Sequence, residues 1–256
     1  MWRKVIPNLL TLAALAAAVL SILKAAHGEY LAASQLIMLC LVLDGLDGNV
    51  ARWCKGSTDF GAELDTFVDI IGYGVAPAML AYEVVMKDQG LWGLVFVCFT
   101  VMSGAMRLAR FRVVDPFRGQ HGYLGLPITV NAGWVAMFVF ATQSGLVHED
   151  LFNLSSGPLA ALVWTVSVAM LLLQVSKVRY SKPTKAPLFF AGGIAMVLML
   201  FLKSEVAMVS SLAICAYGVF YAFISPFMPR HTALVEAASE EEDDDEEEDP
   251  VRVRHS

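Results

Sequence analysis

Apolar residues run along this chain in eight blocks, near 8–26, 31–53, 60–85, 90–111, 126–146, 157–176, 188–202 and 206–226. Crossing a hydrocarbon core takes roughly 20 helical residues. Strands of a membrane barrel would instead show about ten-residue alternating segments. The blocks are continuous, so the expected fold is all-α, a polytopic transmembrane helical bundle of about eight spans. The seventh block is the shortest, and the third is interrupted by Glu63, Asp65 and Asp69. Residues 1–230 then form one membrane-embedded domain. Beyond Arg230 the pattern stops. The unbroken acidic run from Glu240 to Asp249 repels itself and has nothing to bury, so 231–256 is expected to be a disordered cytoplasmic tail.

Composition agrees with a membrane body. Of the 256 residues, 57% are hydrophobic and 16% charged, and a soluble globular chain carries about 45–50% apolar residues. The net charge of −6 is a property of the tail. Eleven of the 24 acids stand at Glu236 and in the Glu240–Asp249 run; the other 13 face 16 of the 18 bases, a body of about +3. Such a body suits anionic lipid and phosphate groups, and no nucleic-acid partner is expected. With the N-terminus placed inside, the outer loops keep only Lys24, Lys87 and Lys203 among those 16 bases. That asymmetry puts both termini in the cytoplasm. Met1 to Pro7 leads into an apolar stretch with no clear small-x-small cleavage site, so the first helix is expected to be retained. The four cysteines, Cys40, Cys54, Cys98 and Cys215, form no CxxC and read as small buried hydrophobes.

The candidate chemistry lies between Asp44 and Asp69. Asp44, Asp47, Gly48 and Ala51 stand at i, i+3, i+4 and i+7 and share one helical face. Gly61, Asp65 and Asp69 are each four apart and share a face of the next helix. A short connection makes the two helices antiparallel neighbours. Four carboxylates then surround one small volume. At membrane depth such groups are paired, hydrated or metal-bound, and four cannot all ionise within a few ångströms without cations. All-oxygen ligation suits Mg2+ or Mn2+. Gly48, Ala51 and Gly61 leave room on the same faces. Asp59 reads as the N-cap of the third helix, and Glu63 falls off the Asp65/Asp69 face. The residues leave open a divalent-cation transporter, although no second acidic half is present, and a scaffold acting through its tail.

The run Asp44-x2-Asp47-Gly48-x2-Ala51-Arg52-x8-Gly61-x3-Asp65-x3-Asp69 resembles the signature of the CDP-alcohol phosphatidyltransferases. Three further stretches are similar to the phosphatidylserine synthase branch: Arg107-Leu108-Ala109-Arg110-Phe111, Gly125-Leu126-Pro127, and Val178-Arg179-Tyr180. The start from Ile6 to Thr11 fits that branch too. The resemblance implies transfer of a phosphatidyl group from CDP-diacylglycerol to the hydroxyl of L-serine, with release of CMP. It implies that Asp44, Asp47, Asp65 and Asp69 hold two ions of Mg2+ or Mn2+, and that Asp69 is the general base. By the same resemblance Gly48, Ala51, Arg52, Gly61 and Asn8 bind the CDP-lipid. Arg107, Arg110, Lys177 and Arg179 are assigned to the acceptor or a phosphate, although each also suits positive-inside anchoring. Glycerol 3-phosphate, inositol phosphate and inositol are alternative acceptors. The family resemblance further implies a homodimer in the cell membrane, with the active site on the cytoplasmic side.

Overall fold

The computed structural model describes residues 2–54, 56, 58–113, 123–144, 158–180, 193, 197, 201–202 and 205–227. The expected acidic tail lies outside these residues, as does most of the seventh apolar block. The described chain is helical almost throughout: α1 (Trp2–Ala26), α2 (Tyr30–Trp53), α3 (Asp59–Gln89), α4 (Leu91–Val113), α5 (Ile128–Gln143), α6 (Pro158–Val175) and α7 (Glu205–Phe223). Among the described residues, α1, α2, α3, α4 and α7 are long and apolar enough to cross a membrane, and α5 and α6 are shorter apolar helices.

Packing follows residue size. α1 lies along α2, α2 along α5, and α5 along α7. On α1, Ala14, Ala17 and Ala18 are buried against Cys40 of α2 and Val68 and Tyr73 of α3. Lipid tails are as apolar as leucine, so membrane helices associate through small residues that let backbones approach and through hydrogen bonds. Both occur here, since the buried Ser21 hydroxyl donates to the Ala33 carbonyl at 2.8 Å. Larger side chains (Ile37, Leu80, Met86, Phe140) fill a second core among α2, α3 and α5. Leu9, Leu12, Leu20 and Leu23 point outward from α1, as a lipid-facing helix requires.

Two helices differ from their expected forms. α1 begins at Trp2 and carries Pro7 inside it. A proline one turn from the start removes a single backbone bond, so the helix tolerates it. α3 is one rod of mixed pitch: α-helical over Asp59–Asp69 and Ala76–Ala81, with wider π turns over Ile70–Val75 and Tyr82–Met86. Pro77 accounts for the first π turn. It has no N–H for the Tyr73 carbonyl, and the Ala76 N–H bonds back to Ile71 instead. Gly72 in that turn presses on α2, where an added Cβ would lie 2.8 Å from Cys40 Sγ.

A two-residue antiparallel pair, β1 (Tyr123–Leu124) with β2 (Arg179–Tyr180), ties the end of α6 to the start of α5. The Gly125 N–H donates to the Val178 carbonyl at 2.8 Å, and Leu126 N–H to Leu173 at 3.0 Å. Tyr180 is fully buried and donates its hydroxyl to the Ala222 carbonyl of α7 at 2.9 Å. Burial pushes its phenol up to about 12, which keeps that donor protonated. Gly125 has φ +80°, and an added Cβ would collide with the Gln174 carbonyl. Gly125→Ala should therefore cost at least about 1 kcal/mol from the left-handed backbone alone. The check is thermal unfolding of the detergent-purified variant, where an unchanged midpoint would contradict it.

Candidate active site

The last turns of α2 and the first turns of α3 carry the acidic run. The connection between them, 54–58, is short and the two helices lie side by side. Thr58 caps α3, its hydroxyl accepting from the Gly61 N–H at 3.0 Å. Asp59 is therefore not the cap. It is the first helical residue, where an acid still favours the positive end of the helix dipole.

Asp44, Asp47 and Asp65 converge, with one carboxylate oxygen from each lying within 4.8 Å of the others. Like charges this close require a shared proton or a cation between them. Three oxygen donors of this kind could hold a hard divalent cation. Asp69 stands outside that trio and lines the adjoining cavity, within electrostatic reach of the Arg107 guanidinium. Asp47 is the most buried of the four, at 6% exposed, and accepts from the Thr11 hydroxyl at 2.5 Å.

The space beside Gly61 is met from α1, and that beside Gly48 from its own helix. A Cβ on Gly61 would lie 3.0 Å from Asn8 Oδ1 and 3.2 Å from Thr58 Oγ1, so α1 reaches α3 through Asn8. A Cβ on Gly48 would meet Arg52 Nη1 at 3.6 Å. Arg52 is exposed and donates to Asn49 Oδ1 at 2.9 Å. Ala51 is half-buried on the same helix.

A cavity of about 670 Å³ adjoins the carboxylates. Its lining combines the charged side chains of Asp44, Asp65, Asp69, Arg107 and Arg112 with apolar ones such as Leu41, Val42, Val130, Trp134 and Ile214. Such a space suits a ligand with a charged head and a hydrocarbon tail. Arg107 is buried at 7% exposed, with its guanidinium 5.4 Å from the Phe111 ring centre. Arg112 pairs with Glu63 of α3 and reaches the Ala62 carbonyl at 3.5 Å.

The other bases lie elsewhere. Arg110 donates to the Ser176 carbonyl at 2.9 Å and so clamps the end of α4 to the turn after α6. Lys177, just before β2, and Arg179, within it, are exposed, and neither lines the cavity. Of the four bases assigned to the acceptor or a phosphate, only Arg107 lines the cavity. Sequence reasoning passed over Thr11, Tyr73 and the Arg112–Glu63 pair. For Thr11 a signal existed, since it stands three residues after Asn8 on the same face of an otherwise apolar helix. For the others, partners 29 and 49 residues away left no local trace.

Comparison with known proteins bears on the chemistry. The family model described as CDP-alcohol phosphatidyltransferase matches residues 4–223. A protein of Helicobacter pylori (strain ATCC 700392 / 26695) named CDP-diacylglycerol–serine O-phosphatidyltransferase is 32% identical over 174 residues, covering 68% of this chain and 70% of that one. A protein of the same name from Methanocaldococcus jannaschii is 29% identical over 184 residues, covering 72% and 81%. An archaetidylserine synthase of Methanothermobacter thermautotrophicus is 35% identical over 136 residues, covering 52% and 57%.

Proposed function

This chain belongs to the CDP-alcohol phosphatidyltransferase family, and from that premise we propose that it transfers the phosphatidyl group of CDP-diacylglycerol to the hydroxyl of L-serine, giving phosphatidylserine and CMP. The observation that carries the reading is the junction of three converging carboxylates with a cavity whose lining combines charged and apolar side chains. A CDP-linked lipid combines the same two characters.

Asp44, Asp47 and Asp65 would hold divalent cation, and we assign two ions of Mg2+ or Mn2+ by family resemblance. When bound, the metal spreads the pyrophosphate charge and stabilises the attacking and leaving oxygens. Asp69 is the fourth carboxylate of the resemblance, and its place outside the trio suits the base. It takes the proton of the serine hydroxyl as the serine oxygen bonds to the lipid-side phosphorus. The bond from that phosphorus to the CMP oxygen breaks, and CMP leaves with the electron pair. Arg107 beside Asp69 suits the serine carboxylate or the lipid phosphate, because a guanidinium binds either through two parallel hydrogen bonds. Arg110, Lys177 and Arg179 suit anchoring or clamping better, given where they lie.

The base asymmetry supports placing the carboxylates near the cytoplasmic ends of α2 and α3, with acyl chains remaining among the helices and lipid. The homodimer rests on the family resemblance alone. Purified protein given CDP-diacylglycerol, Mn2+ and labelled serine should form labelled phosphatidylserine and CMP in equal amounts. Product with glycerol 3-phosphate or an inositol but none with serine would overturn the acceptor and keep the reaction. Ion flux without CMP release would overturn the reaction itself.

A further inference from the structure

Behind the carboxylates of α2 stand two neutral hydroxyls from different elements. Thr11 of α1 is 4% exposed, and its single proton goes to Asp47 Oδ2 at 2.5 Å, within the range of a hydroxyl donating to an ionised carboxylate. The same oxygen lies 3.1 Å from the Pro7 carbonyl, which limits its rotation. Tyr73, in the π turn just past Asp69, is fully buried. Its hydroxyl donates to the Cys40 carbonyl at 3.4 Å and stands beside the Asp44 carboxyl. Both backbones are held by the small-residue core of Ala14, Ala17 and Ala18 with Cys40.

We propose that Thr11 and Tyr73 are positioning residues that fix the orientations of Asp47 and Asp44 for divalent cation. A lysine or arginine in either place would neutralise the carboxylate and compete with the metal. A hydroxyl fixes the carboxylate plane and leaves its charge available. Two anchors are needed because Asp44 and Asp47 ride on one helix and point into the same volume. Without them the carboxylates repel and turn apart. The inference rests on the metal reading given above.

The test is direct Mn2+ binding to the detergent-purified protein, read from the electron paramagnetic resonance signal of free Mn2+. The activation constant for Mn2+ and kcat are measured alongside. Thr11→Val keeps the shape and removes the donor, Thr11→Ser keeps the donor, and Tyr73→Phe removes one oxygen from a packed ring. Thr11→Val and Tyr73→Phe should each weaken Mn2+ binding about tenfold, with Thr11→Ser within about twofold of wild type. Activity in the first two should recover substantially at saturating Mn2+. Unchanged Mn2+ affinity in Thr11→Val or Tyr73→Phe overturns the proposal. So does a loss in Thr11→Ser equal to that in Thr11→Val, which would indicate packing. Should Thr11→Val not be recovered folded, Tyr73→Phe decides alone, because its ring packing is retained. Failure of the wild type to bind Mn2+ would instead remove the metal reading itself.

Discussion

Asp69→Asn should lower phosphatidylserine formation by about a thousandfold, the scale of general-base loss. The amide keeps the shape of the carboxyl but cannot accept the serine proton. The cavity around it, with Arg107 and the carboxylates of Asp44 and Asp65, stays in place. The variant should therefore still bind Mn2+ nearly as wild type does, since Asp69 stands outside the converging trio. The measurement is labelled-serine incorporation by purified protein at saturating Mn2+. A rate within about tenfold of wild type would move the base elsewhere.

Asp65→Asn separates activity from stability in opposite directions. The Asp44 and Asp65 carboxylates bring oxygens within 4.8 Å of each other, so metal-free wild type carries their mutual repulsion. Replacing one with an amide removes that repulsion. In chelator, the melting temperature of the variant should equal or exceed that of wild type. Adding Mn2+ should raise the wild-type value, because ligand binding to the folded state stabilises it by mass action. The variant should gain far less. Its turnover should fall about a hundredfold or more, from the loss of several kcal/mol of charge stabilisation at the pyrophosphate. Equal Mn2+ stabilisation of both proteins would show that Asp65 is not a ligand. Sites of this kind give up stability for function, and that trade explains why uncompensated carboxylates persist in a membrane.

Much of the site was legible because its signals are local. Asp44 and Asp47 are three apart, Asp65 and Asp69 four apart, and a short connection joins their helices. Helical pitch then dictates which side chains share a face, whatever the rest of the fold does. The arginines were less legible for the same reason. Spacing put Arg107 and Arg110 on adjacent turns, but a helix face is wide. The Ser176 carbonyl in the turn after α6 captures Arg110, and of the two only Arg107 lines the cavity. The exposed Lys177 and Arg179 belong to a segment whose partners are backbone groups at Tyr123 and Leu124. Its sequence resemblance to a binding element coincides with a structural job, holding α5, α6 and α7 together through Gly125 and Tyr180.

The sequence by itself determined the helical class, the apolar blocks, the placement of base and acid along the chain, and the phasing of the carboxylates. These follow from composition and from periods of 3.6 residues, which depend on near neighbours. The tertiary structure alone decided that Thr11 and Tyr73 stand behind Asp47 and Asp44, that Arg112 pairs with Glu63, and that Asp69 lies within reach of Arg107. It also decided the π turn that lets α3 continue past Pro77 with Tyr73 facing α2. Each of these joins residues from separate helices. Helix separation and rotation are set by the sizes of distant small residues, such as Ala18 against Gly72 and Cys40, which no local period encodes.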